Sequence, residues 1–520
     1  MKQLVELPKK RITYKKGPNG TKYVYYTLRS YRNDKGKPTS DEKSIGKLDP
    51  ETGMLIPNKN YFDLFPEETV SSLESVKSVH TVGFMAAYHR LAQGLGLTPM
   101  LQKAFPHQWE MILNLSAYMM ANGNVMMDFE DWTIEQDIQT EKSFSSQRVS
   151  EFFASIKDKQ RLDFLDVWCQ KAKENEYIAY DVTSISSYSQ QNDYVEFGYN
   201  RDGDKLAQFN LGVFYGEKSR LPLYYSIYNG SLIDKTYLPY MFELTRQLQF
   251  REVSFVMDQG FFTMSNLRLV TEKGFKVLSL LPKNYTLYKE QINEQLSIPF
   301  SSKEFSRTEQ IYGRTIPVSN SETPLNIHIY YDPARANLEE KALYDDIDRQ
   351  EKQLTLLAKN RQLKSSQKKY FKVIESGEKT IEFEIDYESI DAIKSKFGYF
   401  MLVTSDLEQT AEEAIRIYRQ KDIIEKSFDN LKNGMDYRRM RTHHTQTTEG
   451  KMFVAFIGLV LRSELSYRIK QHPETEGLRI KQVIRELNKI RKLWTGDCQA
   501  IVPLTKVQKQ ILTALDVTIG

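Results

Sequence analysis

Three acids give this sequence its chemistry. Asp181 follows the apolar approach "YIAY", Asp258 follows "VSFVM", and Glu425 lies in "YRQKDIIEKSFDNLK", residues 418 to 432. Carboxylates that converge repel one another unless cations sit between them. Hard oxygen donors with open coordination positions suit Mg²⁺ or Mn²⁺, which keep waters and bind phosphate oxygens. Two such ions about 4 Å apart can activate an attacking oxygen and stabilise the leaving one in an in-line phosphoryl displacement. If the fold gathers them, Asp181, Asp258 and Glu425 are both catalytic groups and metal ligands. The chemistry is then phosphodiester cleavage or transfer.

The surroundings of Glu425 extend that reading. On one ideal helix, Lys421, Glu425 and Lys432 fall at roughly −60°, −20° and −40° from Tyr418, a single narrow stripe. A solvated charged face looks the same, and pairs such as Lys421 with Glu425 add only about 0.2–0.5 kcal/mol. With a metal ligand in the stripe, Tyr418, Lys421 and Lys432 are placed to hold a substrate backbone. Arg438, Arg439 and Arg441 in "DYRRMRTHH" follow closely and suit phosphate contact. His443 and His444 in the same loop read as solvent-facing rather than as ligands.

The elements that must position these groups show in the change of period. "YIAYDVTSISSYS", "QFNLGVFYG" and "RLPLYYSIYNG" are β-rich runs forming an antiparallel meander. A helix, a buried strand "EVSFVMDQG", a second helix and a strand "KVLSLLP" follow. The order βββαβαβ is that of an RNase-H-like core, a mixed five-stranded sheet with helices on both faces. In such a sheet the first and fourth strands are neighbours, so Asp181 and Asp258 meet at adjacent strand ends. Residues 284–396 carry their own helix and strands and read as a strand-rich insertion domain. The core resumes over 397–465 with "YFMLVTSD" and the helix of Glu425. "EGKMFVAFIGLVLRSEL" reads as a core helix behind it.

The remaining segments read as follows. Residues 1–60 form a basic, strand-rich N-terminal region of two or three exposed strands that interleave Lys/Arg with Tyr, suiting DNA contact. Residues 61–175 form a helical DNA-binding domain, and 466–520 a C-terminal helical region. The helix expected over 479–493 suits a dimer contact and DNA equally.

At 520 residues and 60.8 kDa the chain is expected to divide into two to four domains. Only Cys169 and Cys498 occur, without a C-x-x-C, which fits a reducing cytosol and argues against disulfides or a zinc ribbon. No apolar leader opens the sequence, and the longest apolar run, "MFVAFIGLVL", is about half a membrane span. Residues 1–47 carry 13 Lys/Arg against 4 Asp/Glu, a local +9; residues 425–520 carry +7, leaving −12 for 48–424. Basic ends around an acidic middle suggest a polyanion held by the flanks.

These blocks resemble the DDE transposases of bacterial insertion sequences, in the group whose last acid lies in a Y-x2-R-x3-E-x6-K signature. Tyr418, Glu425 and Lys432 match that spacing, and Phe428 and Leu431 match its apolar fill. Lys421 stands where the family has Arg, which keeps the charge and loses the bidentate fork. "YDVTSIS", "GYNRDGDKLAQFNLGVF", "PLYYSIYNGSLIDKTYL" and "VMDQGFF" resemble the blocks around the first two acids, with Gln259 in place of the usual Arg. The similarity covers 177–283 and 397–465. It implies two Mg²⁺ or Mn²⁺ ions, double-stranded DNA as partner (terminal inverted repeats and target) and a homodimer on paired DNA ends. Cut-and-paste transposition near the bacterial nucleoid is the implied activity. A nuclease or resolvase that cuts without joining, and a DNA-binding regulator without catalysis, are the alternatives.

Overall fold

The computed structural model describes residues 4–519 apart from 18–19, 34–35, 51, 66–75, 137, 139–143, 172–176, 248–253, 319–322, 360–369, 377–379 and 496–497. The chain forms two units: Met1–Arg90 with Glu130–Lys142 and Gly477–Gly520, and Leu91–Phe129 with Ser143–Glu476. Among the described residues no helix is long and apolar enough to cross a membrane.

In the first unit the basic–aromatic opening folds as β1 (Ile12–Lys16), β2 (Lys22–Arg32), β3 (Pro38–Leu48) and β4 (Leu55–Pro57), an antiparallel sheet in that order. β1 to β3 are the strands expected from the opening stretch, and β4 joins from beyond it. Val24, Ile45 and Leu55 pack against Tyr61 of the helix Lys59–Leu64. Asn58 caps that helix, its side chain accepting from the Asn60 and Tyr61 amides. Gly46 lets β3 approach β4: its φ is +152°, and a Cβ there would run into the Ile56 carbonyl oxygen. A second sheet joins β5 (Ser78–Thr81) to the hairpin β18 (Arg491–Thr495) and β19 (Cys498–Ile501). The C-terminal region is therefore not purely helical. The helix expected over 479–493 runs only Ile480–Leu487, because Leu493 and Trp494 join the ladder with Val79 and Ser78 instead.

The second unit is built on one large sheet. β6 (Tyr177–Ser187), β7 (Gln208–Gly216) and β8 (Pro222–Asn229) form the expected meander, and every residue of β7 is buried. The helices Asp234–Gln247 and Met264–Glu272 lead to β9 (Ser254–Met257) and β10 (Lys276–Leu280). β9 pairs in parallel with both β6 and β10, completing the five strands read from the sequence.

The sheet does not stop there, which corrects the separate insertion domain. β11 (Phe305–Ser306), β12 (Ile311–Pro317) and β13 (Asn326–Tyr331) continue it through β16 (Tyr399–Thr404), which is antiparallel to β10. The cause lies in "NIHIYY": four successive β13 residues are buried, so this strand needs cover on both faces and a neighbour at each edge. Only the hairpin β14 (Phe371–Ser376) and β15 (Thr380–Ile385), with the helices Pro333–Lys359 and Tyr387–Lys394, gathers around its own core of Leu343, Ile347, Leu354, Tyr370, Phe371 and Ile390.

The separate helical domain is corrected as well. The helix Thr445–Gln471 is buried at every position from Gly450 to Ser463, so it must be covered all round. The helices Trp109–Asn122 and Ser146–Ser155 supply that cover. Phe105 and Phe164 meet Phe453 at ring distances of 5.1 and 5.4 Å. Trp168 donates its indole N–H to the Pro222 carbonyl at 2.9 Å, fixing the helix Asp158–Cys169 to β8.

Candidate active site

Register places the first two acids. Tyr180 on β6 faces Met257 on β9, so Asp181 and Asp258, one residue further on each, leave adjacent parallel strands side by side. β6 continues past Asp181 to Ser187, held by β7. β9 ends, and Asp258 caps the short turn Gln259–Phe261 by accepting the Gln259 amide at 2.8 Å. Asp181 accepts the Val182 amide at 2.8 Å. Burial pushes the Asp181 carboxyl up to about 6; Lys421, that amide and Arg201 oppose the shift, and Asp258 adds to it.

Glu425 comes from a segmented helix rather than the single one expected from Tyr418 to Lys432. Thr410 and Glu413 form a capping box that starts Ala411–Gln420. A second helix, Asp422–Asp429, follows at Lys421, and a π-helical turn, Asn430–Gly434, ends the run. The first part of the stripe still converges on the acids. The Tyr418 hydroxyl donates to Asp258 Oδ1 at 3.2 Å. Lys421 Nζ lies 3.5 Å from Asp258 Oδ2 and 3.8 Å from Glu425 Oε1, and the Lys421 side chain is only 7% exposed. The Tyr418 phenol is held far above its usual range by burial first, then by Asp258, Glu425 and Asp181. One hydroxyl thus senses all three carboxylates.

Lys432 lies in the π-turn and is 9% exposed. Its ammonium reaches Asp202 at 2.7 Å, on the connection between β6 and β7. Burial draws its pKa down and Asp202 opposes this. Arg462 fixes the π-turn by donating to Asn430 Oδ1 at 3.0 Å.

The three arginines lie beside the strand of Asp181. Arg439 and Met440 form β17, which pairs in parallel with Ser186 and Ser187 at the end of β6. Arg439 donates to the Tyr188 hydroxyl at 3.0 Å and to Asp204 at 3.3 Å. Arg438 donates to Asn433 at 2.8 Å, and Arg441 lies 3.7 Å from Asp436. All three remain exposed, as do His443 and His444. The Asn124 side chain holds this segment by donating to the Asp436 and Arg439 carbonyls. Lys451, 1% exposed, donates to the Asn124 carbonyl at 2.8 Å.

Sequence reasoning missed Arg201, Asp202 and Asp204 as partners of the site, and Asn124 and Lys451 behind it. The cluster "NRDGDK" directly after the first acid's strand was the available signal. A turn has no period to orient it, so which charge faces the site could not be read.

Among the described residues no three Asp, Glu, His or Cys groups gather tightly enough to hold a metal ion. Lys421 lies between Asp258 and Glu425 as an internal cation. The donor chemistry nevertheless fits a hard divalent ion, since all three groups offer carboxylate oxygens and two of them leave adjacent parallel strands.

Residues 173–461 match the family described as Transposase DDE domain. The chain is similar, at a TM-score of 0.39 and 9% identity, to the piggyBac transposase in a cryo-EM synaptic complex with hairpin DNA, over 72% of this chain and 68% of that one. Comparison with curated proteins gives no match.

Proposed function

The chain belongs to the transposase DDE-domain family, and from that premise we propose that it is the transposase of a bacterial insertion sequence, in the group with the Y-x2-R-x3-E-x6-K signature. It binds terminal inverted repeats, frees the element's ends and joins them to target DNA. The observation that carries this is the convergence of Asp181 and Asp258 on adjacent parallel strands with a helix whose Tyr418 donates to Asp258 and whose Lys421 lies within 4 Å of both Asp258 and Glu425.

Asp181, Asp258 and Glu425 would hold two Mg²⁺ or Mn²⁺ ions, which supply activation of the attacking oxygen and stabilisation of the leaving one. The chain's own groups do the rest. Tyr418 presents a hydroxyl that stays protonated and orients Asp258. Lys421 offsets carboxylate repulsion in the free protein and offers its charge to the scissile phosphate. Lys432, Arg438, Arg439 and Arg441 steady the flanking backbone, the exposed arginines contacting phosphates directly. Two ends cut in concert call for a homodimer on paired DNA.

The test is cleavage and joining of a labelled duplex carrying the DNA that flanks the reading frame, with Mg²⁺ or Mn²⁺, for the unmodified chain and Glu425→Gln. Joined products that vanish in the variant are expected. Cleavage without joining would instead indicate a nuclease or resolvase, and binding without cleavage in either protein a regulator.

A further inference from the structure

The N-terminal sheet has one face packed and one open. Val24, Tyr26, Ile12 and Ile45 turn toward the helix Lys59–Leu64. Strand alternation puts their neighbours on the other side. There Lys15 pairs with Tyr23 across β1 and β2, and Tyr23 pairs with Lys47 across β2 and β3. A lysine–tyrosine–lysine rung therefore crosses three strands, its two lysine backbones roughly 10 Å apart. The next rung on this face is Thr13–Tyr25–Ser44, a row of hydroxyls.

The rung is exposed and ordered together. Lys15 is 56% exposed and Tyr23 40%, and Lys47 is exposed and forms no ion pair among the described residues. Lys15 Nζ sits 4.3 Å from the centre of the Tyr25 ring and 2.9 Å from Glu42. The Tyr23 ring lies over Gly17, where no side chain would fit. In sequence, residues 1–47 carry a net +9.

Ammonium and hydroxyl groups are phosphate ligands. The planar groups that fix a base edge with two parallel bonds belong to Arg, Asn and Gln, whereas lysine is a point charge on a flexible stem that suits phosphate. Neither rung contains any of those three, and nearby Arg29 is taken by Asp41 at 2.6 Å. We infer that the open face of this sheet grips the phosphate backbone of duplex DNA without regard to sequence, a second DNA contact distinct from the carboxylate site. Duplex DNA as the partner follows from the transposase reading; the face, its residues and its indifference to sequence follow from the sheet.

The experiment is fluorescence anisotropy of a labelled random-sequence duplex with no divalent ion, between about 50 and 200 mM salt, where the slope of log K against log salt counts phosphate contacts at about 0.9 each. Lys15→Gln with Lys47→Gln is compared with Lys16→Gln with Lys22→Gln. The second pair also faces across β1 and β2, but on the opposite face, and it removes the same charge. The rung variant should lose close to 1.8 from the slope, the control less than half of that, and Lys15→Arg with Lys47→Arg should restore it. Equal losses in both pairs, or none in the rung variant, overturn the inference. The two readings fail separately: an unchanged slope in a chain that cleaves and joins its ends removes only the sheet contact, while a slope loss in a chain that never cleaves removes only the transposase.

Discussion

Two lysines of this chain sit beside carboxylates, and the closer contact is the looser one. Lys15 lies 2.9 Å from Glu42 with its side chain 56% exposed; Lys421 lies 3.5 and 3.8 Å from Asp258 and Glu425 with 7% exposed. Water reaches the Lys15 ammonium, so Glu42 is a local competitor that a phosphate can displace. Protein surrounds the Lys421 ammonium, while Asp258 and Glu425 keep 40% and 61% of their side chains exposed, and its charge opposes the burial that pushes the Asp181 carboxyl up to about 6. Environment, more than distance, separates a surface that grips a polyanion from a site that arranges charges for a reaction.

The largest effect should come from turning one of the three acids into its amide. Asp181→Asn, Asp258→Asn and Glu425→Gln should each lower strand cleavage by at least about 10³-fold. Affinity for random duplex, measured without divalent ions, should stay within about twofold. Substantial residual cleavage in any of the three would remove that residue from the catalytic set.

Next comes the charge buried deepest in the same unit. Burial draws the Lys451 ammonium down from 10.5 to about 7. Below that value both folded and unfolded states hold the proton, and the penalty on the folded state is complete. Between 7 and 10.5 the unfolded chain keeps a proton that the folded chain has released, so stability rises with pH. The rise from about pH 7.5 to 9.5 should be roughly 2–3 kcal/mol larger in the unmodified chain than in Lys451→Met, read from urea midpoints. Parallel pH profiles would mean that Lys451 stays charged in the fold.

A backbone change then tests whether the exposed rung depends on its sheet. Gly46→Ala forces a Cβ toward the Ile56 carbonyl at a φ that favours glycine. A loss of about 1–3 kcal/mol is expected, seen as faster hydrogen exchange in β3 and β4. The random-duplex salt slope should fall with it. Unchanged exchange would show that the β3–β4 approach is not tight.

Legibility in the sequence followed the range of the interactions. The five core strands were readable because period and burial are local, and the nearness of Asp181 to Asp258 followed from strand order. Tyr418, Lys421 and Glu425 could be placed on one stripe because seven residues span only two turns. Fourteen residues on, Lys432 sits in a π-turn that α-helical arithmetic does not describe, and its pairing with Asp202 could not be read. The joining of β12 and β13 to the core sheet was not readable, since alternation tells which face a strand buries and not which edge it meets. Nor was the two-residue pairing of β17 with β6, too short to carry any period.

The smallest effect reverses the sign of the largest. Glu42→Gln removes a carboxylate beside a lysine, as Glu425→Gln does, but beside an exposed ammonium rather than a covered one. Glu42 is held below the usual carboxylate range by its hydrogen bond to Lys15, so it is charged when DNA arrives and must be displaced from the ammonium. Without that competitor Lys15 is available to phosphate, and affinity for random duplex at low salt should rise about threefold, with a steeper salt slope. The gain should vanish in the Lys15→Gln background, because no other pairing of Glu42 with a lysine exists among the described residues. A loss of affinity would mean that Glu42 orients Lys15 rather than competing for it, and the exposed rung would then resemble the carboxylate site in using an acid to place its cation.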